Sequence, residues 1–408
     1  MRSRSLLLPA GSRPLKRGAL GVLFLTVFID LLGFGIVLPL LPRYGEDFHA
    51  SGGQIGLLFA AFSGMQFLFA PLWGRLSDRF GRRPMILLGL CGSAASYLLF
   101  GLAQSYLVLL LSRALAGVFA ATIGTAQAYI ADVTGSGERG RGMALIGAAF
   151  GIGFTFGPVL GWVTHDFLGP MWPGFSAALL STGALVLAWR KLPEPERHRT
   201  HERTRRFAGF GHVVQRRPVL LVVCLQFVAT FAFASFEGTL ALLTDRKYQM
   251  QFRGNGLLFM YIGACLLVAQ GFLVRRLMPR VGERRFSRIG AVCLGVGLLA
   301  IPLSGATIGS ALPVFAVTVF GFAMLTPSLA SLLSLHTPDG MQGEVLGVGQ
   351  SATSLARILG PWVGNVLFAR HIDSPYFMAA AVMALAAAAT LLLPGRPSDP
   401  VGEAAAAP

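Results

Sequence analysis

The sequence predicts an all-α polytopic membrane protein, with twelve transmembrane helices in two six-helix pseudo-repeat bundles. Three observations carry this. The 408 residues are 54% hydrophobic and only 13% charged, about half the charged fraction of an ordinary soluble domain. Mean hydropathy is +0.65. The charges are clustered, and residues 48–74, 84–112, 254–274 and 289–338 contain no Asp, Glu, Lys or Arg. A helix needs about 20 apolar residues to cross the hydrocarbon core.

Spans are expected at about 19–41, 54–74, 84–103, 106–131, 143–164 and 172–190 in the first half. The second half supplies 219–243, 254–275, 287–306, 309–333, 345–369 and 375–394. Two uncharged stretches are too long for one crossing. The stretch 84–131 breaks at Ala103-Gln104-Ser105, and 289–338 turns in the run from Pro302 to Pro313, as proline and glycine punctuate helices. The domain plan is a basic tail (1–18), a first bundle (19–190), a polar linker (191–218), a second bundle (219–394) and a short tail (395–408). The linker is rich in basic residues and reads as a flexible cytoplasmic loop.

Orientation follows from Lys and Arg. One side carries 27 of the 34, the other 5 (Arg43, Arg246, Lys247, Arg253, Arg370), and Arg113 and Arg357 lie within spans. The 27-residue side, with both termini, is expected to face the cytoplasm across an inner membrane. The net charge of +16 thus reports topology, and a nucleic-acid partner is not expected. Cys91, Cys224, Cys265 and Cys293 all fall in spans with no metal spacing, and read as small core residues. The basic N-terminus could also be read as a cleaved leader, but the following run is long and carries Asp30.

The halves repeat weakly. Gly74-x-Leu76 is echoed by Gly271-x-Leu273, each followed by arginines. Gly157-Pro158-x-x-Gly161 is echoed by Gly360-Pro361-x-x-Gly364. Parallel repeats of this kind suggest a transporter with its site between the halves.

Several segments carry chemistry. The turn after span 2 is Gly74-Arg75-Leu76-Ser77-Asp78-Arg79-Phe80-Gly81-Arg82-Arg83. Its glycines permit a tight turn, Asp78 can cap a helix or meet an arginine, and the turn can latch the two halves in one conformation. In span 5, Gly147, Gly151, Gly153, Gly157 and Gly161 leave a nearly bare side for close helix packing, and Pro158 removes a backbone donor.

The turn resembles the loop 2–3 signature of the major facilitator superfamily at every defining position. Arg113-Ala-Leu-Ala-Gly117 resembles that family's helix-4 arginine motif, and the span-5 glycines with Pro158 resemble its antiporter motif. Asp30-Leu-Leu-Gly-Phe-Gly-Ile-Val-Leu-Pro39-x-x-Pro42 and Ala131-Asp132-Val133-Thr134 are similar to its twelve-helix drug:proton antiporter branch, which includes tetracycline-efflux proteins. The match is dense over residues 20–165 and sparser beyond. The resemblance implies a major facilitator fold, and a helix 5 that contacts the opposite half and seals one side of the cavity. Trp162 stands where the family often has a further glycine. The resemblance also implies an acidic residue in span 9 of tetracycline exporters. Span 9 here carries only Arg288, so tetracycline itself is not the expected cargo.

Four charges fall inside spans: Asp30, Arg113, Glu237 and Arg357. Each costs about 2.5–3.5 kcal/mol at a helix centre, so they are expected to face a wet cavity or to pair. Burial makes a carboxyl hold its proton and a nearby arginine opposes this, which suits proton loading and release. Asp30 with Arg113 is the first proton-coupling candidate. Glu237 with Arg357 is the second, or else a site for cationic cargo. Gln226, Thr230, Phe233 and Glu237 form a stripe on span 7. Gly347, Gln350, Ser354 and Arg357 do so on span 11. Phe34, one turn beyond Asp30, and Phe233 are placed near substrate.

The expected function is proton-coupled efflux of a lipophilic or amphipathic small molecule by alternating access. Proton-coupled uptake of a small metabolite is the alternative within transport, and a non-transporting membrane sensor or scaffold the alternative class. No hydrolase, zinc or phosphate-loop motif supports an enzyme. The expected partners are the lipid bilayer, a small-molecule substrate and protons. No metal or cofactor is expected, the proton gradient being the energy source, and the chain is expected to be a monomer.

Overall fold

The computed structural model describes residues 17–120, 122–133, 139–195, 215–250, 252–337 and 342–393. The basic tail to residue 16, Thr134, linker residues 196–214 and the tail from residue 394 lie outside the described residues.

Twelve helical rods and no strand are found among the described residues. In the first half, α1 runs Arg17–Val37 and continues through a 3-10 turn, Leu38–Leu40, into Leu41–Asp47. There follow α2 (Gly52–Phe80), α3 (Arg82–Gly101), α4 (Tyr106–Phe119, resumed at Thr122–Val133), α5 (Arg139–Leu168) and α6 (Trp172–Lys191). In the second half, α7 is Arg217–Tyr248 and α8 is Phe252–Val268, with a π-helical turn at Ala269–Val274 before Arg275–Val281. Then come α9 (Glu283–Leu303), α10 (Ile308–Leu335), α11 (Gln342–Arg370) and α12 (Ser374–Ala389, ending in a 3-10 turn).

The rods are longer than the apolar runs that predict them. The 29 residues of α2 and 32 of α7 span about 44 and 48 Å, against about 30 Å of hydrocarbon. Charges expected in loops, such as Asp78, Arg79, Arg246 and Lys247, therefore sit on helix ends. Pro302 and Pro313 lie inside α9 and α10, and the turn shrinks to the four residues between those helices. Ten of the rods are apolar and long enough to cross a membrane by composition among the described residues. α5 and α11 stand outside that count, and α11 carries Gln350, Ser351, Thr353, Ser354 and Arg357. Large apolar side chains such as Leu107, Leu179, Leu303 and Leu385 point outward, as a lipid-facing surface requires. The cysteines join them in part: Cys91 and Cys224 are exposed, and Cys265 and Cys293 half-buried. Their expected core role fails because lipid is as apolar as the core, so an apolar residue has no reason to face inward.

The repeat extends to backbone geometry and hydrogen bonds. Gly81 and Gly282 both have positive φ, +110° and +82°, and both stand at the N-terminus of the third helix of their half. Arg83 donates to the Trp189 carbonyl at the end of α6, and Arg284 to the Leu391 carbonyl at the end of α12.

The glycines of α5 have two destinations. Among those whose surroundings are described, Gly153, Gly157 and Gly161 pack on Leu31, Gly35 and Ile36 of α1, within the same half, and Gly151 meets Leu267 of the other half; the surroundings of Gly147 lie outside the described residues. The helix does contact the opposite half, but through Gly151, Thr155, Pro158 and Trp162 against α8. A Cβ at Gly157 would lie 2.7 Å from the Gly35 Cα, a backbone atom that cannot rotate aside. Gly157→Val is therefore expected to cost about 1–3 kcal/mol, seen as a lower melting temperature with the oligomeric state unchanged.

The halves meet chiefly where α2 packs on α11 and α5 on α8. The contacts lie at the end away from the α2/α3 turn. There Trp362 sits on Gly56 and Trp162 on Gly256, and one buried cluster runs across both halves from Ile36, Tyr44 and Leu58 to Leu240, Phe259 and Phe368. Toward the turn the bundles part.

Candidate functional site

Parting of the bundles leaves a cavity of about 1050 Å³, lined from both halves and running from Asp30 and Phe34 to Ser77, Asp78 and Arg82 at the turn end. The whole α11 stripe lines it: Gly347, Gln350, Ser354 and Arg357. So do Arg113 and Glu237. The α7 stripe divides. Glu237 faces the cavity, and Thr230 and Phe233 line a smaller chamber beside it. Gln226 reaches neither, and its amide oxygen lies against Gly349 of α11. Phe34 is on the cavity wall with its ring 5.1 Å from Phe62 and 5.7 Å from Phe154.

Asp30 is 8% exposed, and its Oδ1 has no hydrogen-bond partner. The Ser93 hydroxyl of α3 serves the carboxyl. No ion pair joins Asp30 to Arg113 among the described residues, contrary to one of the two sequence expectations. The reason is α3, which packs against both α1 and α4 and places Tyr97 within electrostatic reach of both groups. Arg113 is 1% exposed. Its guanidinium lies 5.1 Å from the Phe100 ring centroid and 5.9 Å from that of Tyr97. A desolvated cation over aromatic faces gains about 2 kcal/mol, so a ring system takes the place of the carboxylate. Glu237 and Arg357 face one another within electrostatic reach, again without an ion pair among the described residues.

Sequence reading missed Ser93 and Tyr97, although their spacing of four on α3 is the same kind of signal as the stripes it did use. It also missed the α2 wall of Phe59, Phe62, Gln66 and Ala70, whose spacings are three, four and four.

At the turn end, Arg82 is a hub. It contacts Asp78 Oδ1 at 2.7 Å, Asp132 Oδ2 of α4 at 2.8 Å and the Ser77 hydroxyl at 2.6 Å. The backbone N–H groups of Arg82 and Arg83 donate to the two Glu194 carboxylate oxygens at 2.6 and 2.9 Å. A carboxylate at a helix N-terminus meets both unpaired donors and the positive end of the dipole. The Glu194 carboxylate fills the space where a Gly81 side chain would stand. The turn thus fastens α2, α4 and the end of α6 within the first half. Among the described residues, these contacts are all within the first half. Glu194, read as part of a flexible loop, is fixed to the bundle, as are the buried Leu192 and Pro195.

The far end carries a crossed pair of ion pairs between the halves. Arg43 meets Asp245 at 3.5 Å, and Arg246 meets Glu46 at 2.8 Å. The Arg246 guanidinium also lies 5.1 Å from the Phe368 ring. Lys247 donates to the carbonyls of Ile301 and Pro302. Trp162, in place of a glycine, takes the Gly256 surface across the interface and donates to the Asp166 carboxylate. On α9 an acid is present after all, Glu283, but it lies in the first turn at the helix end.

Comparison with known proteins completes the picture. The family model described as Major Facilitator Superfamily matches residues 23–361. Multidrug resistance protein 2 of Bacillus subtilis (strain 168) is 32% identical over 389 residues, covering 93% of this chain and 96% of that protein. Tetracycline resistance protein, class B, of Escherichia coli is 28% identical over 352 residues, covering 83% and 86%. Among solved structures, the human organic anion transporter MFSD10 (TETRAN) superposes with a TM-score of 0.71 at 26% identity, covering 93% of this chain and all of the other.

Proposed function

Since the chain belongs to the major facilitator superfamily, and is a transporter rather than an enzyme, we propose that it exports a lipophilic or amphipathic small molecule in exchange for protons. The observation that carries the reading is Asp30: a carboxyl group in the wall of a cavity between two bundles, almost out of water, with one oxygen unpartnered. Such a group is expensive to keep in a membrane and marks a proton or ion path by default. The parted and joined ends of the bundles correspond to one of the two states that alternating access requires. The excess of Lys and Arg on one side supports an open end facing the cytoplasm of an inner-membrane protein with both termini inside. The similarity to multidrug and tetracycline resistance proteins supports efflux and an apolar cargo. The protein acts as a monomer in this reading, because its cavity is complete within one chain.

In the cycle, a protonated Asp30 and a loaded cargo exclude one another. Cargo enters from the cytoplasm when the carboxyl is ionised. The bundles rock, the far end opens, cargo leaves and a proton enters. Glu237 and Arg357 orient the polar part of the cargo. The direct test uses everted vesicles with a preformed pH gradient. Adding a transported compound is expected to collapse the gradient. No collapse across a broad panel of lipophilic compounds, with the protein shown to be present, removes the antiport reading.

A further inference from the structure

Asp30 and Arg113 are opposite charges in the wall of one cavity, and each keeps an unpartnered atom. Asp30 Oδ1 and Arg113 Nη2 are buried without a hydrogen bond among the described residues, and Arg113 Nε reaches the adjacent Ser112 hydroxyl at 3.5 Å. Two such groups gain by meeting, since a charge left unpaired out of water is costly. They are nonetheless not paired, and α3 supplies the reason. Ser93, Tyr97 and Phe100, at spacings of four and three, share one face of that helix. Ser93 serves the Asp30 carboxyl, Tyr97 stands within reach of both charges, and Phe100 lies 5.1 Å from the guanidinium. From Ser93 to Phe100 the helix rises about 10 Å. The two charges are thus drawn to opposite ends of a short ladder, with Tyr97 as its middle rung.

Tyr97 is held in that place by α1 and α4. Its ring rests on α1 at Gly33, one turn beyond Asp30, where a Cβ would lie 2.9 Å from Cε2, 3.2 Å from Cζ and 3.3 Å from the hydroxyl oxygen. The ring therefore fills the space of a side chain at position 33. The Arg113 guanidinium lies 5.9 Å from the Tyr97 centroid. Phe100, the second ring beside the cation, is stacked on Tyr44 at 5.3 Å with an interplanar angle of 12°. The cation sits on a braced aromatic shelf, a contact that is strongest where water is excluded.

We propose that Tyr97 is a positioning residue for Asp30: seated on Gly33, its ring keeps the Arg113 guanidinium off the Asp30 carboxyl and leaves that carboxyl free to take up and release a proton. The proposal deepens the reading of the chain as a proton-driven exporter and rests on it for the use made of the proton. A carboxylate bonded to a guanidinium holds its charge, so loss of the ring turns Asp30 from a proton carrier into half of a static ion pair. The other charges lining the cavity have neighbours of their own, Asp78 with Arg82 and Glu237 facing Arg357.

Dicyclohexylcarbodiimide adds to a protonated carboxyl in apolar surroundings and spares a carboxylate. Purified full-length protein in nanodiscs at mildly acidic pH is treated with it, and mass spectrometry reads the labelled fraction of the peptide that carries Asp30. Native protein is expected to be labelled there, and Tyr97→Phe, which keeps the ring, to stay close to native. Tyr97→Leu is expected to slow the labelling about tenfold. Tyr97→Leu with Arg113→Gln is expected to restore it to within about twofold of native. Gly33→Ala, which pushes the ring from its seat, is expected to act like Tyr97→Leu and to be rescued by the same second change. That pair carries the comparison if Tyr97→Leu loses the native gel-filtration profile. A merely structural tyrosine gives no rescue when a charge is removed from another helix. No labelling of Asp30 in the native protein, native labelling in Tyr97→Leu, an equal loss in Tyr97→Phe, or failure of Arg113→Gln to restore labelling each overturns the proposal. The readout uses neither cargo nor a gradient, so failure of proton exchange in vesicles is a separate result.

Discussion

Asp30→Asn is expected to abolish proton-driven transport while leaving the protein folded. The amide keeps the size and hydrogen-bonding reach of the carboxyl and loses only the ability to ionise. Coupled flux in everted vesicles should fall by on the order of a hundredfold, the scale on which loss of one essential proton-transfer group acts. Gradient-free binding of cargo should weaken, because the amide is fixed in the neutral state that excludes cargo in the proposed cycle. Stability should hold or rise, since an underpartnered carboxylate taken out of water is a burden that the amide lifts. Native-like coupled transport by this variant would remove Asp30 from the mechanism. Loss of folding together with transport would make it a structural residue.

The second large effect is expected at the far end. Arg43–Asp245 and Arg246–Glu46 tie α1 to α7, one from each half, with opposite polarity in the two pairs. Each pair is partly exposed and screened, and a single such contact contributes little to overall stability. Its leverage is on the balance between two packed states, where a small difference in free energy is a large ratio of populations. Reversing one charge, Glu46→Arg, sets two cations face to face and opens that end. A cysteine placed there should react with an impermeant thiol reagent about tenfold faster than in the native protein. The exchanged pair, Glu46→Arg with Arg246→Glu, should return the rate to near native. No rescue by the exchange would mean that the pairs merely decorate the surface.

Much of the fold was legible in the sequence, because each rod is a long apolar run bounded by charges. The stripe on α11 was equally legible, since four polar or small residues on one face of an apolar helix have nowhere else to point but a wet space. What could not be read was which partner each buried charge finds. Asp30 and Arg113 are natural partners as a pair of opposite charges, and only the position of α3 reveals that Tyr97 stands within reach of both and that Arg113 settles over Tyr97 and Phe100. Glu194 was hidden for another reason. It lies past the end of a helix in a run of charges, and its role depends on the N-terminus of α3, more than a hundred residues earlier. The cysteines show that burial cannot be inferred from apolarity when the solvent is lipid. Gln226 shows that a stripe of regular period can still lose its first member, because its amide turns onto Gly349 of α11 instead of into the cavity.

The Arg82 hub has a further consequence. Counting 201 residues onward, Pro279 stands where Asp78 does and Glu283 where Arg82 does. An arginine hub of this kind is therefore not found in the second half among the described residues, and in the corresponding stretch of α8 there is a π-helical turn, a rare winding often found at functional sites. Twinned in outline, the bundles are therefore braced differently at this end, the first by ion pairs on Arg82 and the second by a local change of helical winding.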